Sequence, residues 1–188
     1  MSDDKKMKKS EPKFFRKYKG GKILGFCGTN AINNLFRREV VSTETMNKAI
    51  LFLEERNKSH STKHAIESFG RLDEGFVHCD TFVHLVKTEA RHQVLNLNKS
   101  FPVSHPAELA RHVLAGDPSA LYLVYGFEPD KPVGHYASIR DFKVTDDFLP
   151  KGGVAKKSRL RSLDLCEDNL KIIFGKRALL RLYELRPF

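Results

Sequence analysis

The chain has 188 residues, 40% of them hydrophobic, with a formal net charge of +10 and an isoelectric point near 9.6. A chain of this size buries one ordinary core, and no run of about 18 apolar residues exists to span a membrane. Three cysteines, Cys27, Cys79 and Cys166, are an odd and widely spaced set, which excludes a disulfide framework and leaves at least one thiol free of any internal pair.

Residues 1–20 are lysine-rich and poor in aliphatic side chains and read as a disordered tail, with 21–188 as a single domain. Residues 1–22 carry nine Lys or Arg against three acids. They hold no apolar run of signal-peptide length, so the expectation is a cytoplasmic or nuclear protein, or one that reaches a host cytosol by another route. A second basic stretch is KGGVAKKSRLR, residues 151–161. Such stretches are usually solvated, but they can also draw in nucleic acid or an acidic partner. No zinc-finger spacing, RNA-binding aromatic signature or glycine-rich phosphate loop accompanies the charge.

From Cys27 the apolar spacing turns helical, through Ala31, Ile32, Leu35 and Phe36, with Arg37 and Arg38 in the last turn, where cations suit the helix dipole. Ser42 or Thr43 caps a second helix, ending near Asn57, with Met46, Ala49, Ile50 and Leu53 on one face. The polar stretch 57–75 contains a loop, and Asp80 caps a third helix over 80–90. VLNLN (94–98) alternates like a strand. SHPAELARHVLAG (104–116) has a Ser cap, an early proline and a closing glycine, and reads as a helix. Strands are expected at 120–126, 135–142, 161–165 and 178–186, with a loop over 143–160. Helices first and a mostly antiparallel sheet second make an α+β domain.

The stretch GFCGTNAINNLF (25–36) places Cys27 where a helix begins. Cysteine chemistry needs a thiolate, and a free thiol, with a pKa of about 8.5, offers little of it at neutral pH. A helix N-terminus favours an anion. Gly28 lets the backbone approach a substrate closely. A nearby imidazole takes the proton and returns it to the leaving group. Of the eight histidines, His60, His64, His105 and His112 lie in polar or helical contexts. His78 and His84 flank Cys79 in HCDTFVH, whose spacing matches no standard zinc pattern. His135 follows Gly134 and starts a strand, from which it can point across to a helix N-terminus. Cys79 reads as core or cap, and Cys166 has no assigned role.

CGTNAINNLF resembles the nucleophile helix of Josephin-type deubiquitinases, a family of papain-like cysteine proteases, and GHYASIRDF (134–142) resembles that family's histidine strand. The resemblance covers roughly residues 20–185. It implies a papain-like fold and no cofactor or metal. It makes Cys27 the nucleophile, His135 the base with Tyr136 as its aromatic neighbour, and Gly28 and Gly134 part of the substrate side. The family's next strand carries an Asn or Asp after a leucine; SLDL matches, which maps the orienting role onto Asp164, with Asp146 and Asp147 as poorer choices. The family's glutamine before the cysteine is missing. Its oxyanion role falls to Lys22 or Lys19, or to the N–H groups of Cys27 and Gly28.

The implied activity is hydrolysis of the bond after ubiquitin's C-terminal glycine through a thioester, by a monomer whose partners are ubiquitin or ubiquitinated proteins. Asp73, Glu74, Asp130 and Asp141 are available to meet the arginines of the ubiquitin tail. The alternatives are a papain-fold protease or acyltransferase with another substrate, and a non-catalytic module that binds through its basic stretches.

Overall fold

The computed structural model describes residues 27–59, 70–71, 76–101, 103–130, 134–148 and 159–188. The basic tail, the expected oxyanion residues Lys19 and Lys22, and most of the 151–161 stretch lie outside these residues.

Helix α1 spans Cys27–Phe36 and α2 spans Thr43–Ser59. The Ser42 hydroxyl accepts from the Thr45 N–H at 3.2 Å, while Thr45 Oγ1 accepts from the Ser42 N–H at 2.9 Å, a reciprocal cap on the start of α2. The turn between the two helices is fixed by one buried side chain. Asn33 Oδ1 accepts from the N–H groups of Val40 and Val41, both at 2.8 Å, and its amide donates to the Val41 carbonyl at 2.8 Å. The helix stops before both arginines rather than including them in its last turn: Arg37 lies just past Phe36, at φ 53°.

Two short strands, β1 (Gly70–Arg71) and β2 (Phe76–Val77), pair as a ribbon ahead of α3 (Cys79–Thr88). The cap of α3 is His78 rather than Asp80: its Nδ1 accepts from the Asp80 N–H at 3.2 Å. Strand β3 (His92–Asn96) runs into a 3-10 turn at Leu97–Lys99, and α4 follows at Pro106–Leu114. His105, not Ser104, is the cap residue of α4, and Pro106 occupies the first turn. The remaining elements are β4 (Leu121–Phe127), β5 (His135–Arg140), β6 (Lys143–Phe148), β7 (Arg159–Asp164), α5 (Glu167–Phe174) and β8 (Leu179–Pro187).

The fold is therefore α+β, with five α-helices among the described residues and a six-stranded antiparallel sheet in the order β3-β8-β4-β5-β6-β7. Strand β6 lies where a loop was expected. It is joined to β5 by a two-residue turn, Asp141–Phe142, in which both residues have positive φ, the geometry that matches the strands' twist.

Because side chains alternate across a strand, the sheet presents two apolar faces. One carries Leu123, Tyr136, Tyr183 and Leu185 and packs under α1, α2 and α3, through Ile32, Leu35, Met46, Phe82 and Leu85. The other carries Val124, Ala137, Ile139 and Leu182 and packs on α4 and α5, through Leu109, Val113, Leu170 and Phe174. Helix α1 lies against β4, β5 and β6, and Arg140 Nη1 donates to the Leu35 carbonyl at 3.0 Å, a cation at the helix's negative end. That lock fixes the C-terminal end of α1 at the end of β5 and leaves its N-terminus, Cys27, beside the strand's beginning. No described helix is long and apolar enough to cross a membrane.

Candidate active site

Cys27 is the first residue of α1 and is partly exposed. The first N–H groups of a helix have no acceptor within it, so they and the dipole favour negative charge at this point. His135 opens β5, and its imidazole interacts with both Cys27 and Asp146. The ring's Nε2 is 3.4 Å from Asp146 Oδ2. That is long for a tight hydrogen bond. On the other side of the imidazole stands the Phe174 ring, with centroids 5.9 Å apart. Gly126 makes room for Phe174, since a Cβ there would lie 2.2 Å from Cδ1 of that ring.

Burial pushes the His135 imidazole down. The hydrogen bonds to Asp146 and Cys27, with the charges of both, outweigh it and raise the group from 6.5 to about 10. The setting therefore favours the protonated ring. Asp146 shows the mirror image. Its side chain is only 2% exposed, and burial favours the neutral acid. The bonds to His135 and to Arg161 outweigh that and hold the carboxyl below its ordinary value.

The structure places the expected site residues differently from one another. Cys27 and His135 are brought together. Asp164 is not with them. It ends β7 opposite Lys143, which in turn pairs with Arg140 at the far end of β5, roughly 16 Å of strand from His135. Its carboxylate is exposed and bonds Lys143 Nζ at 2.6 Å, which lowers its pKa. The carboxylate beside the imidazole is Asp146, on the strand that directly follows the histidine strand.

Gly28 faces the core. A Cβ there would lie 1.7 Å from Phe82 Cζ, so the missing side chain serves packing between α1 and α3. Tyr136 points away from His135, into the core beneath α1 and α3, with its ring 4.3 Å from Phe82 and 4.7 Å from Tyr125. Gly134 lies flat on Tyr125, where a Cβ would come within 2.3 Å of the phenol. Tyr125, packed against Gly134 beside His135, therefore borders the site. It went unnoticed in a strand that reads simply as buried. Asp73 and Glu74 lie outside the described residues. Asp130 is paired with Arg177 at 2.9 Å, and Asp141 with Arg37 at the far end of β5.

The other two cysteines have local roles. Cys166 Sγ accepts from the Asn169 N–H at 3.5 Å and caps α5. Cys79, in the first turn of α3, lines an apolar pocket with Phe82, Leu123, Tyr136 and Tyr183. Burial, then the charge of Asp80, pushes its thiol pKa up, the reverse of what a nucleophile needs. His78, Cys79 and Asp80 bring three potential ligand atoms within 4.8 Å of one another. Consecutive in sequence, they have His78 Nδ1 engaged as the helix cap.

What the arrangement can do is proton transfer between a sulfur and an imidazole held by a buried carboxylate, at the positive end of a helix. No family model matches the chain, and none of the curated proteins matches it.

Proposed function

We propose that the protein is a thiol-dependent hydrolase with a papain-like fold, and that it acts as a Josephin-type deubiquitinase with Cys27, His135 and Asp146 as its catalytic groups. The observation that carries the reading is the double engagement of His135, by Cys27 on one side and Asp146 on the other. Nucleophile, base and orienter stand in the relation that covalent acyl transfer requires. The resemblance of CGTNAINNLF and GHYASIRDF to the Josephin pattern supplies the substrate class.

In this mechanism the Cys27 sulfur attacks the carbonyl carbon of ubiquitin's last glycine. The carbonyl π pair moves onto oxygen, where the N–H groups at the start of α1 stabilise it. As the tetrahedral intermediate collapses, His135 gives its proton to the leaving amine and the C–N bond breaks, leaving a thioester on Cys27. The neutral imidazole then draws a proton from water, whose oxygen attacks the thioester carbonyl. Collapse expels the thiolate and releases the carboxylic acid, which gives its proton to solvent, and His135 is an imidazolium again. Asp146 stays ionised throughout and holds Nε2.

The test is turnover of ubiquitin bearing a fluorogenic C-terminal amide, run beside ubiquitin-like proteins and short peptides carrying the same reporter. Hydrolysis of the ubiquitin amide, lost in Cys27→Ala, supports the reading. Turnover confined to another member of the panel moves the enzyme to a different substrate. Absence of turnover with all of them, or equal turnover in Cys27→Ala, overturns it.

A further inference from the structure

The carboxylate that holds His135 is itself held. Arg161, in β7, stands opposite Asp146 in the β6–β7 register. Its Nε donates to Oδ1 at 2.8 Å and its Nη2 to Oδ2 at 3.2 Å. Oδ2 is also the oxygen that faces His135 Nε2 at 3.4 Å. A guanidinium engages both oxygens of a carboxylate in one plane and so fixes its rotation, which an ammonium cannot do. The Arg161 side chain is 23% exposed and that of Asp146 2%, so solvent screens the contact little.

We propose that Arg161 is a positioning residue for the reaction: its fork locks the Asp146 carboxylate in the orientation that turns Oδ2 toward His135. Cys27, His135, Asp146 and Arg161 then form one chain of contacts across α1, β5, β6 and β7. Arg161 closes the basic stretch 151–161, so one of its cations is spent inside the protein. This rests on the catalytic reading above for its consequence in turnover, but its structural content is independent of the substrate.

Arg161 has two opposed effects on the imidazole. Its charge, carried by the group paired with Asp146, disfavours a second cation nearby. Its fork brings the neutralising oxygen into place. Among the described residues, Cys27 from α1 and the uncharged ring of Phe174 from α5 also face the pair. Removing the guanidinium therefore separates the two effects by sign. If charge dominates, the His135 midpoint rises; if positioning dominates, it falls toward 6.5.

The experiment is a titration of the His135 ring by proton–carbon NMR on the full chain, with the resonance assigned through His135→Gln. Arg161→Gln is expected to lower the midpoint by about one pH unit or more. Asp146→Asn should lower it as well, and the double variant should fall no further than Asp146→Asn alone. Arg161→Lys keeps the charge without the fork, and its midpoint should fall at least as far as that of Arg161→Gln. A midpoint that rises or stays put in a folded Arg161 variant overturns the proposal, as does an additive double variant. Should Arg161→Gln fail to fold, Arg161→Lys decides alone, and an unchanged midpoint there is contradiction. A lowered midpoint in a protein that leaves ubiquitin untouched would sink the substrate reading only; ubiquitin turnover with no shift would sink the positioning role only.

Discussion

His135 Nε2 lies 3.4 Å from Oδ2 of Asp146, and Asp146 is the one charged residue buried among those described. A buried charge is costly unless it is paired. Here it is paired twice, with His135 and with Arg161. The consequence is a division between two aspartates eighteen residues apart in the chain, one engaged with the imidazole and one at the surface.

Asp146→Asn is expected to lower turnover by about 10²-fold or more, the usual scale of a disturbed acid–base pair. Asp164→Ala should leave turnover within about twofold, because its exposed contact with Lys143 is screened by solvent. Comparing the two rates on one substrate checks the assignment, and the reverse order would restore Asp164.

The raised His135 value and the lowered Asp146 value fix a pH window for stability. The contribution of His135 is fully present below 6.5 and is lost as pH rises through about 10. That of Asp146 is present above 3.8 and is lost as pH falls through its lower native value. The stability difference between wild type and Asp146→Asn should therefore be flat between about pH 4 and 6.5 and shrink toward pH 10. Urea denaturation across that range measures it. The alkaline limb of the pH–rate profile should likewise move to lower pH in Asp146→Asn.

Gly28→Ala is expected to destabilise the fold by about 1–3 kcal/mol through overpacking, since the added Cβ meets the Phe82 ring at 1.7 Å. Shrinking the opposing side chain, Phe82→Leu in the same background, should recover part of that loss. Denaturation midpoints of the single and double variants check this. A Gly28→Ala protein as stable as wild type, yet inactive, would instead place Gly28 against the substrate.

Asn33→Leu should cost about 2–4 kcal/mol, because it strands the N–H groups of Val40 and Val41 and the Val41 carbonyl in the interior. Chemical denaturation reads it directly. The neighbouring Asn34 offers no such latch to lose.

The helices with long apolar stripes were legible in the sequence: Ile32 and Leu35, Met46 and Ile50, Leu109 and Val113 all sit where the helical period puts them. So were Cys27 and His135 as a facing pair, because a helix start and a strand start announce themselves locally. Strand β6 was not legible. KVTDDF has Asp146 at an inward position where period-2 reading expects an apolar residue, so a buried charge disguised a strand as a loop. That miss carried the orienting role onto Asp164, whose preceding leucine fits the family pattern but whose register faces Lys143. Helix α5 was missed for its shortness, and with it Phe174, the ring beside His135. Both errors hid a neighbour of His135: Asp146 through the β5–β6 pairing and Phe174 through its packing beside the ring.

The most direct measurement is covalent capture. Ubiquitin carrying a C-terminal electrophile is incubated with the full chain, and the modified residue is mapped by mass spectrometry in wild type, Cys27→Ala and His135→Ala. The account predicts a single adduct on Cys27, absent in Cys27→Ala and strongly slowed in His135→Ala. An adduct on Cys79 or Cys166, unchanged labelling in His135→Ala, or no adduct at all would contradict it.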